Sequence, residues 1–138
     1  MVNDGRSTGD RDGSGEGVAV PVDVLVVDDD EALRDSWAQI LENSGYSVAV
    51  AEDGDVALDI IDSREVGMVL LDLRMPRVDG LTVIETLRTP QLVVLVSAFS
   101  LDEATHARVD AKVVTYLEKP VSPQRLLSVV GSTLQRDA

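Results

Sequence analysis

Three unbroken apolar runs, Val24–Val27, Met68–Leu71 and Leu92–Val96, constrain this chain more than any other feature. None alternates polar with apolar residues. A strand with one wet face alternates, whereas a strand covered on both faces reads as a continuous run, as in a parallel sheet. Val113–Leu117 reads as a last strand, and Tyr46–Ala51 alternates toward another. The intervening segments change period. Leu33, Trp37, Ile40 and Leu41 fall on one helical face, and Val56, Ala57, Ile60 and Ile61 do the same within Gly54–Arg64. Trp37 therefore belongs to the core. Five strands alternating with five helices specify an α/β fold, a five-stranded parallel sheet with helices on both faces and right-handed crossovers.

Local signals mark the helix ends. Asp30 is placed to cap the first helix and Gly45 to close it. A third helix is expected over about Leu81–Arg88, stopped by Thr89-Pro90. Ser100 with Glu103 forms a capping-box pattern for a fourth helix running to about Asp110. Ser122 reads as the cap of the fifth and Pro123 as its first residue, with Leu126, Leu127, Val129, Val130 and Leu134 on its apolar side.

The ordered domain is expected over residues 21–138, behind a disordered tail over residues 1–20. Met1–Gly17 holds half of the ten glycines and almost nothing to bury. Its deletion is expected to cost neither stability nor activity. The net charge of −13 argues against direct contact with nucleic acid or an anionic membrane. The chain has no cysteine, which excludes disulfides and thiolate metal sites. No apolar run has the length of a membrane span, and the N-terminus lacks the apolar core of a signal peptide, so a cytoplasmic location is expected.

Because the strands run the same way, their C-terminal ends share one edge, where open α/β sheets hold ligands. Asp28 and Asp29, Asp72, Ser97 and Lys119 each lie at or just past such an end. Two carboxylates about 4 Å apart repel by roughly 4 kcal/mol at an effective dielectric near 20. Asp28, Asp29 and Asp72 cannot ionise together comfortably without a divalent cation, the Lys119 ammonium, or both. A hard cation such as Mg²⁺ takes carboxylates, waters and phosphate oxygens. With it in place, one Asp72 oxygen stays available to attack phosphorus, while Ser97 and Lys119 pair with phosphoryl oxygens.

The stretches VLVVDDDEALR, MVLLDLRMPRVDG, LVVLVSA and TYLEKP together resemble the receiver domain of two-component response regulators over about Val22 to Leu134. The resemblance implies a flavodoxin-like sheet of order 2-1-3-4-5. It implies that Asp72 is the phospho-acceptor, that Asp29 ligates Mg²⁺ directly and Asp28 mainly through water, and that the Arg74 backbone carbonyl and Asp72 complete the protein ligands. Ser97 and Lys119 would hold the phosphoryl group, and Ser97 and Tyr116 would form the switch. The Lys119–Pro120 peptide resembles one that the family holds cis. Arg74 and Phe99, two residues past Asp72 and Ser97, would flank the approach of hydrolytic water. The implied partner is a sensor histidine kinase or phosphotransfer protein. The chain would be no enzyme beyond its own Mg²⁺-dependent phosphorylation and dephosphorylation. As a stand-alone receiver it would signal by protein–protein contact, through the fourth helix, fifth strand and last helix. Two departures touch those surfaces. Lys112 stands where the family often has Gly, and the connection Arg88–Gln91 is short.

Other readings stand beside this one. An aspartate-nucleophile phosphohydrolase would use Asp28, with Asp30 completing a D-x-D, but Ala32 stands where that chemistry uses threonine. A receiver-like scaffold that is never phosphorylated is a further alternative, and the acids alone would suit calcium. Asp30 and Glu31 suit a helix start. The lone His106 is expected on a solvated helix face, and Tyr116 has a plain reading as an edge aromatic.

Overall fold

The computed structural model describes residues 20–75 and 78–135. The expected tail, apart from Val20, lies outside the described residues. Strands β1 (Val22–Val27), β2 (Val48–Ala51), β3 (Val66–Asp72), β4 (Val93–Ser97) and β5 (Val113–Glu118) alternate with helices α1 (Glu31–Asn43), α2 (Gly54–Ser63), α3 (Gly80–Thr86), α4 (Glu103–Val109) and α5 (Pro123–Leu134). Every strand pair is parallel, and the order is β2-β1-β3-β4-β5. Both match the expectations from pattern and resemblance.

The unbroken runs are unbroken because both faces are covered. On one face Leu25, Val27, Val69, Leu71, Val93 and Leu95 pack with Ala57 and Ile61 of α2, Val83 and Ile84 of α3 and Val109 of α4. On the other, Val24, Val26, Met68, Leu70, Val94 and Val96 pack with Trp37 and Leu41 of α1 and Leu126, Val129 and Val130 of α5. Fully burying an aliphatic side chain stabilises by about 1.5–3 kcal/mol. The central strands thus fix the register that determines which residue ends each strand.

Most expected caps are formed. Asp30 accepts from Leu33 N–H at 3.2 Å, and Ser122 caps α5 by accepting from Arg125 N–H at 3.1 Å, with Pro123 next. Gly45 follows the end of α1 with φ +95°, a conformation that disfavours any side chain. The cap of α4 differs from expectation. It is Asp102, whose carboxylate accepts from Thr105 N–H at 2.8 Å, and not Ser100. Leu101 packs against the core, which delays the helix start. Helix α3 ends at Thr86, before the expected Arg88, and Leu87 is already extended at ψ 130°. Helix α4 ends at Val109 and passes into a 3-10 turn, Asp110–Lys112. Strand β2 begins at Val48 and not at Tyr46. The Tyr46 N–H instead bonds the Leu41 carbonyl and helps to close α1.

Candidate functional site

Four of the five expected site residues lie at, or one residue past, the end of β1, β3, β4 or β5, and the parallel register brings them to one edge. Asp28, Asp72 and Ser97 are buried, whereas Asp29 is exposed. Carboxylate oxygens of Asp28, Asp29 and Asp72 all lie within 4.8 Å of one another. The Lys119 ammonium reaches across from β5, 2.8 Å from Asp28 Oδ2 and 3.5 Å from Asp72 Oδ1. The backbone N–H of Lys119 also donates to the Ser97 carbonyl at 2.8 Å, continuing the β4–β5 ladder beneath both side chains. The Lys119–Pro120 peptide is cis, as the resemblance implied.

Local contacts shape each group. Asp28 Oδ1 accepts from Asp30 N–H at 2.9 Å, and the Arg34 guanidinium donates to the Asp28 carbonyl at 2.8 Å. Arg34 was not singled out from sequence. The signal was its place one turn into α1, which lets it reach back to the strand end. Ser97 Oγ accepts from Phe99 N–H at 3.1 Å. The Arg74 guanidinium lies 5.3 Å from the centre of the Phe99 ring, a cation–π contact. Phe99 itself is 61% exposed, so burial does not hold it in place. Gly80 lies close against the end of β3. The Gly80 N–H donates to the Leu73 carbonyl at 2.9 Å, and a Cβ on Gly80 would lie 2.5 Å from the Asp72 carbonyl oxygen.

The electrostatics follow from this crowding. Burial, and then the neighbouring Asp28 charge, push the Asp72 carboxyl up to about 6, against the opposing pull of Lys119 and the Arg74 backbone N–H. Burial works against the Lys119 ammonium, but its hydrogen bond to Asp28 and the charges of both acids outweigh it, so the amine is held above its ordinary value. One ammonium therefore leaves the three acids with unbalanced negative charge. An all-oxygen donor set of this kind suits a small hard divalent cation.

A pH-dependent result is expected from Asp72. Its folded value lies above its unfolded one, so the stabilising contribution is complete below about pH 4 and is lost as pH rises through 6. Without divalent cations, Asp72→Asn should therefore be more stable than the parent at pH 7.5, by about 1–2 kcal/mol after allowing for solvent screening. The gain should shrink toward pH 4.5. Thermal unfolding in chelator at the two pH values measures it, and a gain that does not shrink at low pH refutes the linkage.

Tyr116 and His106 lie on the same side of the sheet. The Tyr116 hydroxyl donates to Asp110 Oδ1, and its ring meets the His106 ring edge to face, with centroids 4.6 Å apart. The His106 side chain is 39% exposed, as expected of a solvated helix face, and its ring also meets an aromatic partner.

The model of the response regulator receiver domain matches residues 24–131, most of the chain. The chain belongs to that family. Among similar proteins, response regulator MprA of Mycolicibacterium vanbaalenii is 42% identical over 121 residues, which cover 85% of this chain and 52% of the relative. Response regulator MprA of Mycobacterium bovis is 41% identical over 119 residues, 83% of this chain and 51% of the relative. The receiver thus spans about half the length of the curated relatives it matches. Among solved structures, a CheY-like receiver domain protein from Methanospirillum hungatei superposes with a TM-score of 0.76 at 29% identity, covering 83% of this chain and 94% of that one. The receiver domain of Francisella response regulator 1452 superposes at 0.75 and 28% identity, covering 83% and 97%. Among the described residues of the receiver, no helix is long and apolar enough to cross a membrane.

Proposed function

We propose that this receiver accepts a phosphoryl group on Asp72 from a sensor histidine kinase or phosphotransfer protein, with Mg²⁺ as cofactor, in the cytoplasm. The observation that carries the reading is the convergence of Asp28, Asp29, Asp72, Ser97 and Lys119 on one sheet edge. A carboxylate oxygen of Asp72 attacks phosphorus. The new O–P bond forms as the donor's bond to phosphorus breaks, and the donor leaves with that electron pair. Lys119 stands within reach of a phosphoryl oxygen near Asp72, and the Ser97 hydroxyl is placed to donate to another. Asp28, Asp29, Asp72 and the Arg74 carbonyl would hold the divalent cation. When bound, it screens the negative charges of carboxylate and phosphoryl group from each other. The signal leaves by protein contact along α4, β5 and α5, and Ser97 and Tyr116 report the change. A receiver that operates alone and one that is joined to an output domain use this chemistry identically.

Acetyl phosphate with Mg²⁺ tests the reading. Intact-mass measurement should show one added phosphoryl group, absent in Asp72→Asn. Label that remains in that variant, or that maps to Asp28 as a phosphohydrolase would place it, overturns the assignment. A protein that takes up no label from any donor is instead a scaffold.

A further inference from the structure

The contact between β5 and the turn before it has a use that phosphoryl chemistry alone does not explain. Asp110 is the first residue of the 3-10 turn Asp110–Lys112, and its backbone N–H bonds the His106 carbonyl at the end of α4. The backbone of Asp110 is thereby fixed at the start of the turn. One oxygen, Oδ1, serves two side chains. It accepts the Tyr116 hydroxyl and lies 3.3 Å from His106 Nδ1. The His106 ring in turn packs its edge against Tyr116 at an interplanar angle of 68°. The three side chains form a closed set, and none is a metal ligand or touches Lys119. Beside them lies a recess of about 220 Å³, bounded by Leu95, Ser97, Leu101, His106, Tyr116 and Leu117. Tyr116 forms one wall of it and Ser97 another.

We infer that Asp110, backed by His106, is a positioning anchor that holds Tyr116 out of the recess beside Ser97 and so restrains the phosphorylated conformation of the receiver. A phenol donating to an ionised carboxylate makes a stronger bond than a neutral pair. The ring cannot enter the recess without giving up that bond and the His106 contact together. Both partners register the bond. It holds the Asp110 carboxyl below its usual range, and burial followed by Asp110 pushes the Tyr116 phenol up to about 12. A ligand that favours one of two states shifts the balance by its difference in affinity alone. The family resemblance implies a switch in which Tyr116 moves inward as Ser97 shifts toward the phosphoryl group, and an anchor present only in the outward position therefore raises the work that phosphorylation at Asp72 must do. The anchor's effect on phosphorylation rests on the proposed roles of Asp72 as acceptor and Tyr116 as switch. Its effect on the ring does not.

Two measurements on the full chain test the inference. The first follows the Tyr116 ring by proton NOEs. In the parent the ring should show contacts with the His106 ring. In Asp110→Ala these should weaken, and contacts with Leu101 should grow. Asp110→Asn, which keeps an acceptor oxygen, should retain most of the parent pattern. The second is the initial rate of phosphorylation by acetyl phosphate with Mg²⁺. One hydrogen bond released should speed it roughly threefold in Asp110→Ala. Tyr116→Phe, which removes the donor and keeps the ring, should gain a similar factor, and the double variant should gain no more than either single one. A Tyr116 ring that keeps its His106 contacts in Asp110→Ala overturns the anchor. So do unchanged rates in both single variants, or gains that multiply in the double variant. A parent that takes up no phosphoryl group at Asp72 sinks the receiver mechanism instead, and the NOE comparison still decides the anchor.

Discussion

Gly80→Ala is expected to lower stability by about 2–3 kcal/mol and to slow phosphorylation of Asp72 roughly tenfold. The added Cβ would meet backbone on two sides, 2.5 Å from the Asp72 carbonyl oxygen and 2.9 Å from Leu73 Cα. Neither is the end of a flexible side chain, so relief requires the end of β3 to move. Asp72 is the last residue of that strand, and the Leu73 N–H bonds the Val96 carbonyl at 2.9 Å. A shift there also disturbs the pairing with β4, one residue before Ser97. A misplacement of about 1 Å can cost on the order of 10²-fold, so a smaller shift of the carboxylate proposed as acceptor is expected to cost about tenfold. Gly45→Ala is the control. Its φ of +95° is strained for a side chain, but a Cβ there meets nothing within 4 Å. It should cost only about 1–2 kcal/mol and leave phosphorylation unchanged. Urea unfolding and a phosphorylation time course separate the two variants. Equal phosphorylation rates in Gly80→Ala and the parent would show that the strand end tolerates the displacement.

The second large effect concerns the lifetime of the phosphorylated state and rests on Asp72 as acceptor. Water that hydrolyses an acyl phosphate approaches phosphorus opposite the Asp72 oxygen. Arg74 and Phe99 leave the ends of β3 and β4 and are drawn together by a cation–π contact, with the guanidinium 5.3 Å from the ring centre. Such a pair stabilises by about 0.5–1 kcal/mol at an exposed site, enough to favour one arrangement of two otherwise mobile side chains. Leaning together over the proposed acceptor, they are expected to exclude the attacking water. Replacing them together, Arg74→Asn with Phe99→Glu, removes the contact and places groups there that admit and orient water. Decay of phosphorylated protein, followed after donor removal, should be about tenfold or more faster in the double variant. A decay rate that is unchanged or slower rejects the cover and leaves the acceptor assignment intact.

The fold was legible because burial on both faces leaves an unambiguous mark. Val24–Val27 and Met68–Leu71 have no polar residue to place on a wet face, so a parallel interior was the remaining solution. The candidate site was legible for a related reason, since the residue that ends each run is fixed once the run is fixed. Boundaries were less legible. Ser100 and Asp102 are both good caps, and Leu101 between them, packed on the core, decided for Asp102. The partner of His106 was hidden for another reason. Its contact with Tyr116 joins a helix to a neighbouring strand across a turn whose shape no local pattern announces. The Arg74–Phe99 contact was hidden likewise, because two loops after different strands must meet to make it.

The alternation of side chains along β4 and β5 assigns the two faces of the domain different work. Leu95 and Tyr116 belong to the layer beneath α2, α3 and α4, whereas Val96 and Leu117, one residue further along each strand, belong to the layer beneath α1 and α5. A rearrangement around Tyr116 is therefore felt first by one layer and reaches the other only through the backbone of the sheet. The sheet then acts as a partition as well as a scaffold. Substitutions beneath α1 and α5 are then expected to answer mainly to folding, and those beneath α4 to folding and, on the proposed role of Tyr116, to the signal together. Surveys of tolerated variation should find the α1–α5 layer free to exchange one apolar side chain for another, and the layer around Leu95, Leu101 and Tyr116 much less so.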